Sequence, residues 1–209
     1  MTKVTAIVII AIIIGIGLLL FLRQNPPAPE GQNLVRSENQ VTPFDAPDVP
    51  TPTTPTGPTP DTSILSATTS STVVISTNKG TITATLYNTE AKRAVENFYI
   101  KAVSNFYDKK TFHRVEDWVI QGGDPAGNGT GGGTMPSEYN EQPFVEGSLG
   151  MARGGDRALS NDSQFFITKS DAEWLTGDYM NFGIVTEGMD VVKKITVGDT
   201  ITDIQFINN

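Results

Sequence analysis

A single charged side chain interrupts an otherwise apolar, strand-like run in "TFHRVEDWVIQGGD", residues 111–124. This is Arg114, which directly follows His113, the only histidine of the chain. A guanidinium on an apolar surface is unfavourable unless a polar group meets it. It stays charged at any working pH and offers several N–H donors in a rigid fork. We therefore interpret Arg114 as a fixed hydrogen-bond donor to a substrate amide.

The residue types of the chain exclude several other kinds of catalysis. Disulfides, zinc–thiolate sites and a catalytic thiol are excluded because there is no cysteine, and histidine-rich metal sites are excluded because there is one histidine. The sequence "EGSLG" lacks the Gly-x-Ser-x-Gly spacing of a nucleophile elbow, and the only histidine lies beside Arg114. A carboxylate pair for glycosidic cleavage stays open, although no acid lies in a suggestive apolar setting. We expect neither a metal nor a cofactor.

The glycine-rich stretch and the overall charge argue against nucleotides and nucleic acids. "GGDPAGNGTGGG" contains Gly127, Gly129 and Gly132 in the spacing of a dinucleotide fingerprint. A phosphate site needs a helix N-terminus directly afterwards, whereas "TMPSEYNEQPF" carries two prolines and no helical period. The formal charge of −8 disfavours a nucleic-acid partner, because phosphate affinity comes mainly from lysine and arginine.

Residues 1–23 are predicted to form a transmembrane anchor. The run from Val4 to Leu22 is apolar apart from Thr5, and a helix of this length spans roughly 28 Å, close to the thickness of a bilayer core. A cleaved signal peptide is the alternative, but no clear small-x-small site follows the run. Lys3 favours a cytoplasmic N-terminus. We therefore expect a membrane-anchored protein whose globular domain is extracytoplasmic, either periplasmic or at the cell surface, and which is secreted if the segment is cleaved.

Residues 24–70 are predicted to form a disordered linker. They are rich in proline and threonine, hold most of the 13 prolines of the chain, and show no helical or strand period. About 45 residues of extended, proline-rich chain could reach on the order of 100 Å from a membrane. We interpret the segment as a spacer and leave open that it is a ligand for another protein.

Residues 71–209 are predicted to form one mainly β domain. "TVVIS" and "TITATLY", joined by "TNKG", predict a hairpin, and "TEAKRAVENFYIKAVSN" predicts an amphipathic helix. Many short strands with few helices favour a closed antiparallel barrel, because closure removes exposed edges. Further strands are predicted near residues 111–121, 147–152, 164–168, 181–185 and 201–207, with a brief helix near residues 189–195.

Nine short blocks occur in the order and approximate spacing found in the cyclophilins, the peptidyl-prolyl cis-trans isomerases. They are "ENF", "FYDKKTFHRV", "VIQGGD", "GTGGG", "GSLGMAR", "SQFFI", "WLTG", "NFG" and "VTEGMDVV". The resemblance covers about residues 72–207, and the anchor and linker lie outside it. It implies an eight-stranded closed antiparallel β-barrel capped by two α-helices, with the active groove on its outer face. A monomer is expected.

The resemblance also implies the roles of individual residues. Arg114 corresponds to the catalytic arginine of the family. The implied substrate-binding residues are Trp118, Val119, Phe166 and Leu175 for the proline ring, Gln121 and Gln164 for the peptide backbone, Ala152 and Arg153 for the residue before proline, and His113, Trp174 and Tyr179 as further groove residues. A structural, hydrogen-bonding role is favoured over acid–base chemistry for His113, and Phe165 and Phe182 are predicted to lie in the barrel core.

The sequence departs from the family pattern within this groove. "VEDWVI", between Arg114 and Gln121, is one residue shorter than the family pattern, and Trp118 and Val119 stand where phenylalanine and methionine are usual. These changes predict a reshaped proline slot. Two more positions and one loop also differ: Arg153 stands for a common asparagine, Tyr179 for a common histidine as in bacterial-type relatives, and "GGDRALSND" is longer than in compact members.

Three functions are compatible with this sequence. The first is a membrane-tethered prolyl isomerase that assists the folding of exported or membrane-proximal proteins, with proline-containing polypeptides as its partners. Its physical basis would be a donor aimed at the prolyl nitrogen in the twisted transition state. The second is a non-catalytic, chaperone-like module that binds proline-containing peptides, and the third is a structural surface protein that uses the barrel as a scaffold.

Overall fold

The computed structural model describes residues 60–207. The predicted anchor, residues 1–23, and the linker up to residue 59 lie outside the described residues. Within residues 60–207, no helix is both long enough and apolar enough to span a membrane.

The described chain is mainly β, as predicted, with ten strands and three α-helices. The strands are β1 (Ser70–Thr77), β2 (Gly80–Tyr87), β3 (Phe112–Val115), β4 (Val119–Gly122), β5 (Thr134–Pro136), β6 (Ser148–Met151), β7 (Leu159–Asn161), β8 (Phe165–Thr168), β9 (Asn181–Glu187) and β10 (Ile201–Ile207). The helices are α1 (Ser63–Ser66), α2 (Lys92–Val103) and α3 (Met189–Lys194), and Glu173–Leu175 form one turn of 3₁₀ helix.

Eight of the strands form one antiparallel sheet in the order β10-β1-β2-β9-β6-β8-β4-β3, and β5 pairs separately with β7. The sheet curls until its two edges approach each other. There Thr111 forms a bridge to Thr200, and the backbone N–H of Phe112 donates to the carbonyl of Asp199 at 2.8 Å. The sheet is therefore curled, with its edges meeting at this corner, and is not the closed barrel that was predicted. The edge strand β3 has only four residues, so it offers few backbone hydrogen-bonding groups to β10.

The predicted hairpin and amphipathic helix are confirmed. Alternate residues of β2 are buried, as the threonine-rich alternation predicted, and Thr77 pairs with Gly80 across the turn. One face of α2 is buried against the sheet, where the ring of Phe98 lies 5.4 Å from that of Phe165 and 5.3 Å from that of Phe182. Phe165 and Phe182 both lie in the core, as predicted. The brief helix predicted near residues 189–195 is α3.

Two local features differ from the prediction. The strand expected over residues 111–121 is two strands, β3 and β4, because the backbone N–H of Glu116 donates to the carbonyl of Val119 at 2.8 Å and turns the chain. The predicted linker, residues 24–70, overlaps the start of the fold, since α1 lies within it and buries Leu65. Sequence patterns indicate neither feature.

Candidate active site

The hairpin of β3 and β4 positions the predicted catalytic arginine. Arg114 lies opposite Gln121 in the register of the two strands, so their side chains share one face of the sheet. The end of β8 fixes the turn between the strands. The backbone N–H of Lys169 donates to the carbonyl of Trp118 at 2.7 Å, and the Lys169 ammonium donates to the carbonyl of Glu116 at 2.8 Å.

Polar contacts on two sides hold the Arg114 guanidinium. Its Nε donates to Oε1 of Glu116 at 2.7 Å, and its Nη1 donates to Oε1 of Gln121 at 3.2 Å. The amide of Gln121 in turn donates to Oε1 of the buried Gln164 at 2.8 Å, and Gln164 donates to the carbonyls of Gly129 and Gly131. The Arg114 side chain remains 42% exposed. The guanidinium is therefore fixed in place and still accessible to a ligand.

A cleft of about 420 Å³ adjoins this guanidinium. It brings together every predicted site residue except His113 and Gln164, and it adds Asp178, which was not predicted. Its lining residues are Arg114, Trp118, Val119, Gln121, Ala152, Arg153, Phe166, Trp174, Leu175, Asp178 and Tyr179.

The floor of the cleft is apolar and tightly packed. Val119, Phe166 and Leu175 are almost fully buried and belong to a small cluster with Phe144, separate from the main core. The ring of Phe166 stacks on that of Phe144 at 5.6 Å and meets the ring of Tyr179 edge-on at 5.7 Å. Such a floor can take a small apolar ring and no charged group.

The rim of the cleft is aromatic and cationic. Trp118 and Trp174 meet edge-to-face at 5.6 Å, and Trp174 is 63% exposed. The Arg153 guanidinium lies 4.6 Å from the centre of the Tyr179 ring, and its Nε donates to the carbonyl of Asp178 at 2.9 Å. Trp174, expected as a further groove residue, therefore lies on the exposed rim.

His113 is not among the residues that line the cleft. Within the described residues both of its ring nitrogens are buried without a hydrogen-bond partner, and it faces the loop at Gly129. Burial lowers the pKa of the imidazole, the Asp124 carboxylate opposes this, and the Arg114 cation adds to it. Asp124 holds that loop by accepting hydrogen bonds from three backbone N–H groups. The half-buried imidazole is compatible with a structural role, but the hydrogen bonds expected of it are not formed within the described residues.

Two acidic residues of the site are missed by sequence reasoning. Glu116 binds both Arg114 and the indole N–H of Trp118, and Asp178 contributes to the rim. No strand periodicity points to Glu116, because β3 ends at Val115 and the residue lies in the turn that follows. No sequence pattern points to Asp178, whose place depends on the loop after the 3₁₀ turn.

The arrangement suits a reaction that makes and breaks no covalent bond to the protein. A fixed cationic donor stands at the edge of an apolar slot, and Gln121 beside it can bind a peptide backbone. Arg114 keeps its Nη2 hydrogens free of hydrogen bonds within the described residues. The site can therefore hold an apolar ring and offer hydrogen bonds to atoms next to it.

Comparison with known proteins gives consistent matches. The family described as "Cyclophilin type peptidyl-prolyl cis-trans isomerase/CLD" matches residues 72–208. The chain is 41% identical over 143 residues to the peptidyl-prolyl cis-trans isomerase cypE of Dictyostelium discoideum, covering 65% of this chain and 90% of that protein. It is 41% identical over 131 residues to the peptidyl-prolyl cis-trans isomerase-like 1 of Rhizopus delemar, covering 59% and 78%.

A solved structure gives the same result. The cyclophilin-type peptidyl-prolyl cis-trans isomerase of Cryptosporidium parvum, crystallised in the presence of the dipeptide Ala-Pro, is 30% identical with a TM-score of 0.62. The match covers 66% of this chain and 99% of that one.

Proposed function

The chain belongs to the cyclophilin-type peptidyl-prolyl cis-trans isomerase family, and from that premise we propose that Arg114 is its catalytic group and the adjoining cleft its proline site. The protein is an isomerase that catalyses rotation about Xaa-Pro peptide bonds. The roles of its individual residues in this reaction remain to be assigned.

The electronic structure of the Xaa-Pro bond sets the task. Conjugation between the nitrogen and the carbonyl gives the bond double-bond character and a barrier of about 18–20 kcal/mol. In the twisted transition state the prolyl nitrogen recovers its lone pair. A donor aimed at this nitrogen stabilises that state more than either planar ground state. Lowering the barrier by about 5 kcal/mol would accelerate the exchange several-thousandfold.

The observation that carries the proposal is the position of the Arg114 guanidinium beside the apolar floor. Within the described residues Glu116 and Gln121 occupy Nε and one hydrogen of Nη1, and we assign Nη2, which makes no hydrogen bond there, as the donor to the prolyl nitrogen. The proline ring would lie on Phe166 and Leu175. Because the guanidinium is fixed before the substrate arrives, little free energy is needed to orient it during the reaction.

Proline-containing polypeptides are the proposed substrates, bound by a single chain. The slot fits one apolar ring, and Gln121 beside it offers hydrogen bonds to a peptide backbone. The related structure crystallised in the presence of Ala-Pro supports this substrate class.

The test is exchange of a proline tetrapeptide, measured by NMR with wild-type protein and with Arg114→Ala. We expect the variant to lose at least about a hundredfold in kcat/KM while keeping its thermal midpoint, because Arg114 is exposed and supports no core residue. An Arg114→Ala variant with unchanged turnover would overturn the assignment. Peptide binding by the wild type without acceleration would select the non-catalytic binding module instead.

The proposed site of action is outside the cytoplasm, with exported or membrane-proximal proteins as clients. The support is the apolar run from Val4 to Leu22 and the proline-rich segment that follows it. Protease added to intact cells should remove the globular domain, and protection until lysis would contradict this topology. The bacterial-type assignment drawn from Tyr179 also remains a prediction, since the similar proteins come from Dictyostelium discoideum and Rhizopus delemar.

A further inference from the structure

Two side chains of the site converge on one carboxylate. Oε1 of Glu116 accepts a hydrogen bond from Nε of Arg114 at 2.7 Å, and Oε2 accepts one from the indole N–H of Trp118 at 2.9 Å. The guanidinium carbon of Arg114 also lies 5.5 Å from the centre of the Trp118 ring. These contacts join the donor of the reaction to one wall of the proline slot.

We propose that Glu116 is a positioning residue that clamps the Arg114 guanidinium to the Trp118 indole and so sets the distance between the donor and the slot. This inference rests on the proposed function, because it assigns a task to a residue that acts through Arg114. Glu116 itself does not line the cleft.

The backbone around Glu116 is held firmly enough for such a task. Its N–H closes the turn onto Val119, and its carbonyl accepts a hydrogen bond from the Lys169 ammonium at 2.8 Å. The residue thus has its backbone tied to β4 on one side and to the end of β8 on the other. A clamp on a fixed backbone can transmit position to the side chains that it binds.

The clamp also determines which donor faces the substrate. With Nε bound to Glu116 and Nη1 bound to Gln121, the guanidinium plane is held at two points. Rotation about its last torsions would break one of these bonds. Loss of the Glu116 bond would leave a single contact and allow the plane to turn, which misplaces Nη2.

The negative charge of Glu116 and its positioning of Arg114 have opposite effects on catalysis. A carboxylate beside the guanidinium weakens the positive potential at the prolyl nitrogen. However, the side chains of Arg114 and Glu116 are 42% and 46% exposed, so water screens the charge effect strongly. Placement of the donor depends on short contacts and is not screened in this way, so we expect geometry to dominate.

Three substitutions separate geometry from charge. We expect Glu116→Ala to lower kcat about tenfold and to change KM by less than about threefold. Glu116→Gln keeps an oxygen acceptor for Arg114, so its kcat should stay within about threefold of the wild type. The matched control is Asp117→Asn, which removes an equal charge from the next residue, an exposed acid that binds neither Arg114 nor Trp118, and should leave kcat unchanged.

An independent readout follows the clamp without turnover. The Nε–H proton of Arg114, assigned by its absence in Arg114→Lys, should give a slowly exchanging NMR signal in the wild type and in Glu116→Gln. It should broaden in Glu116→Ala. Trp118 fluorescence should shift in both Glu116 variants, since neither replacement can accept the indole hydrogen bond while also holding Arg114.

Specific outcomes would overturn the inference. A Glu116→Ala variant with the kcat of the wild type would overturn it. Equal losses of kcat in Glu116→Ala and Asp117→Asn would also overturn it, because they would indicate a long-range effect of negative charge on the reaction. If Arg114→Ala is inactive while Glu116→Ala is unaffected, the clamp fails and the proposed function stands. If Arg114→Ala retains turnover, the proposed function fails first, and the Nε–H signal still reports whether the clamp exists.

Discussion

At the scale of single residues, the floor of the cleft depends on Gly150, which faces the ring of Phe166 across the pairing of β6 with β8. A Cβ at Gly150 would lie 2.2 Å from Cζ of Phe166. The ring cannot retreat, because it stacks on Phe144 at 5.6 Å. We expect Gly150→Ala to push the ring into the slot and to raise KM for a proline peptide about tenfold, measured by exchange kinetics.

A second glycine supplies the control for this substitution. Gly155 has no atom within 4 Å of the position where its Cβ would lie. Gly155→Ala should therefore leave KM and the thermal midpoint unchanged. A Gly150→Ala variant that folds and binds the peptide as tightly as the wild type would show that the floor is softer than its packing indicates.

His113 predicts the pH dependence of the reaction. Burial, opposed by the Asp124 carboxylate and assisted by the Arg114 cation, keeps the pKa of the imidazole below its usual value. A lowered pKa favours the neutral imidazole near neutral pH. We expect kcat/KM to be flat from about pH 6.5 to 8.5, in the wild type and in His113→Gln alike. An inflection near neutrality that disappears in His113→Gln would identify His113 as an acid–base group.

Residue types and spacing alone identify part of the site. Arg114 is evident because a cation in an apolar run needs a polar partner, whereas Gln121 is assigned by resemblance and only the structure shows it opposite Arg114. Resemblance assigns His113 and Gln164 to the groove, and neither is among the residues that line the cleft. Glu116 and Asp178 escape prediction because their roles depend on where a turn and a loop direct them, which no local pattern encodes.

At the scale of elements, polar–apolar alternation and helical periodicity are sufficient to predict a strand or a helix when one face of that element is buried. The alternation of β2 and the apolar face of α2 predict these two elements correctly for that reason. The turn at residues 116–118 is not predicted, since Asp117 is its one turn-favouring residue, and hydrogen bonds from the distant Lys169 hold it. Tertiary contacts of this kind override local turn signals.

The corner where the sheet edges meet predicts acid sensitivity. Asp199 accepts hydrogen bonds there from Asn78 in the β1–β2 turn and from Thr196. Burial opposes ionisation, yet these donors and the Lys79 ammonium lower its pKa to about 2. A depressed carboxyl pKa stabilises the fold above the unfolded value near 4, and that contribution is lost as the pH falls from about 4 to 2.

Replacing this carboxylate should remove the pH dependence. We expect Asp199→Asn to lower the thermal midpoint at pH 7 by roughly 3–6 °C and to flatten the decline between about pH 4 and 2, measured by circular dichroism. Asp117→Asn, at an exposed position outside the corner, should follow the wild-type curve. An Asp199→Asn variant with the wild-type acid decline would mean that other carboxylates govern it.

At the scale of the whole molecule, the fold starts earlier than composition indicates. Residues 63–70 follow a proline- and threonine-rich stretch and share its polar character, so the predicted domain begins at residue 71. In the structure Leu65 is only 4% exposed and belongs to the main core. The amide of the buried Asn88 donates to the carbonyl of Leu65 at 3.1 Å and to that of Thr68 at 3.2 Å. Ile64 and Leu65 are adjacent apolar residues in a short, mostly polar run, and two neighbours of this kind give no helical or strand period.

Two truncations test where the stable unit begins. A protein of residues 71–209 lacks Leu65, whose burial contributes about 2 kcal/mol to the free energy of unfolding. It also removes hydrogen-bond acceptors of the Asn88 amide, which should cost about 1 kcal/mol or more. We expect its thermal midpoint to lie roughly 5–10 °C below that of residues 60–209, with equal kcat/KM because the cleft residues begin at Arg114. Leu65→Ala in the longer protein should reproduce part of the loss. Equal midpoints for the two truncations would place the start of the cooperative fold at β1, because α1 would then contribute nothing to its stability.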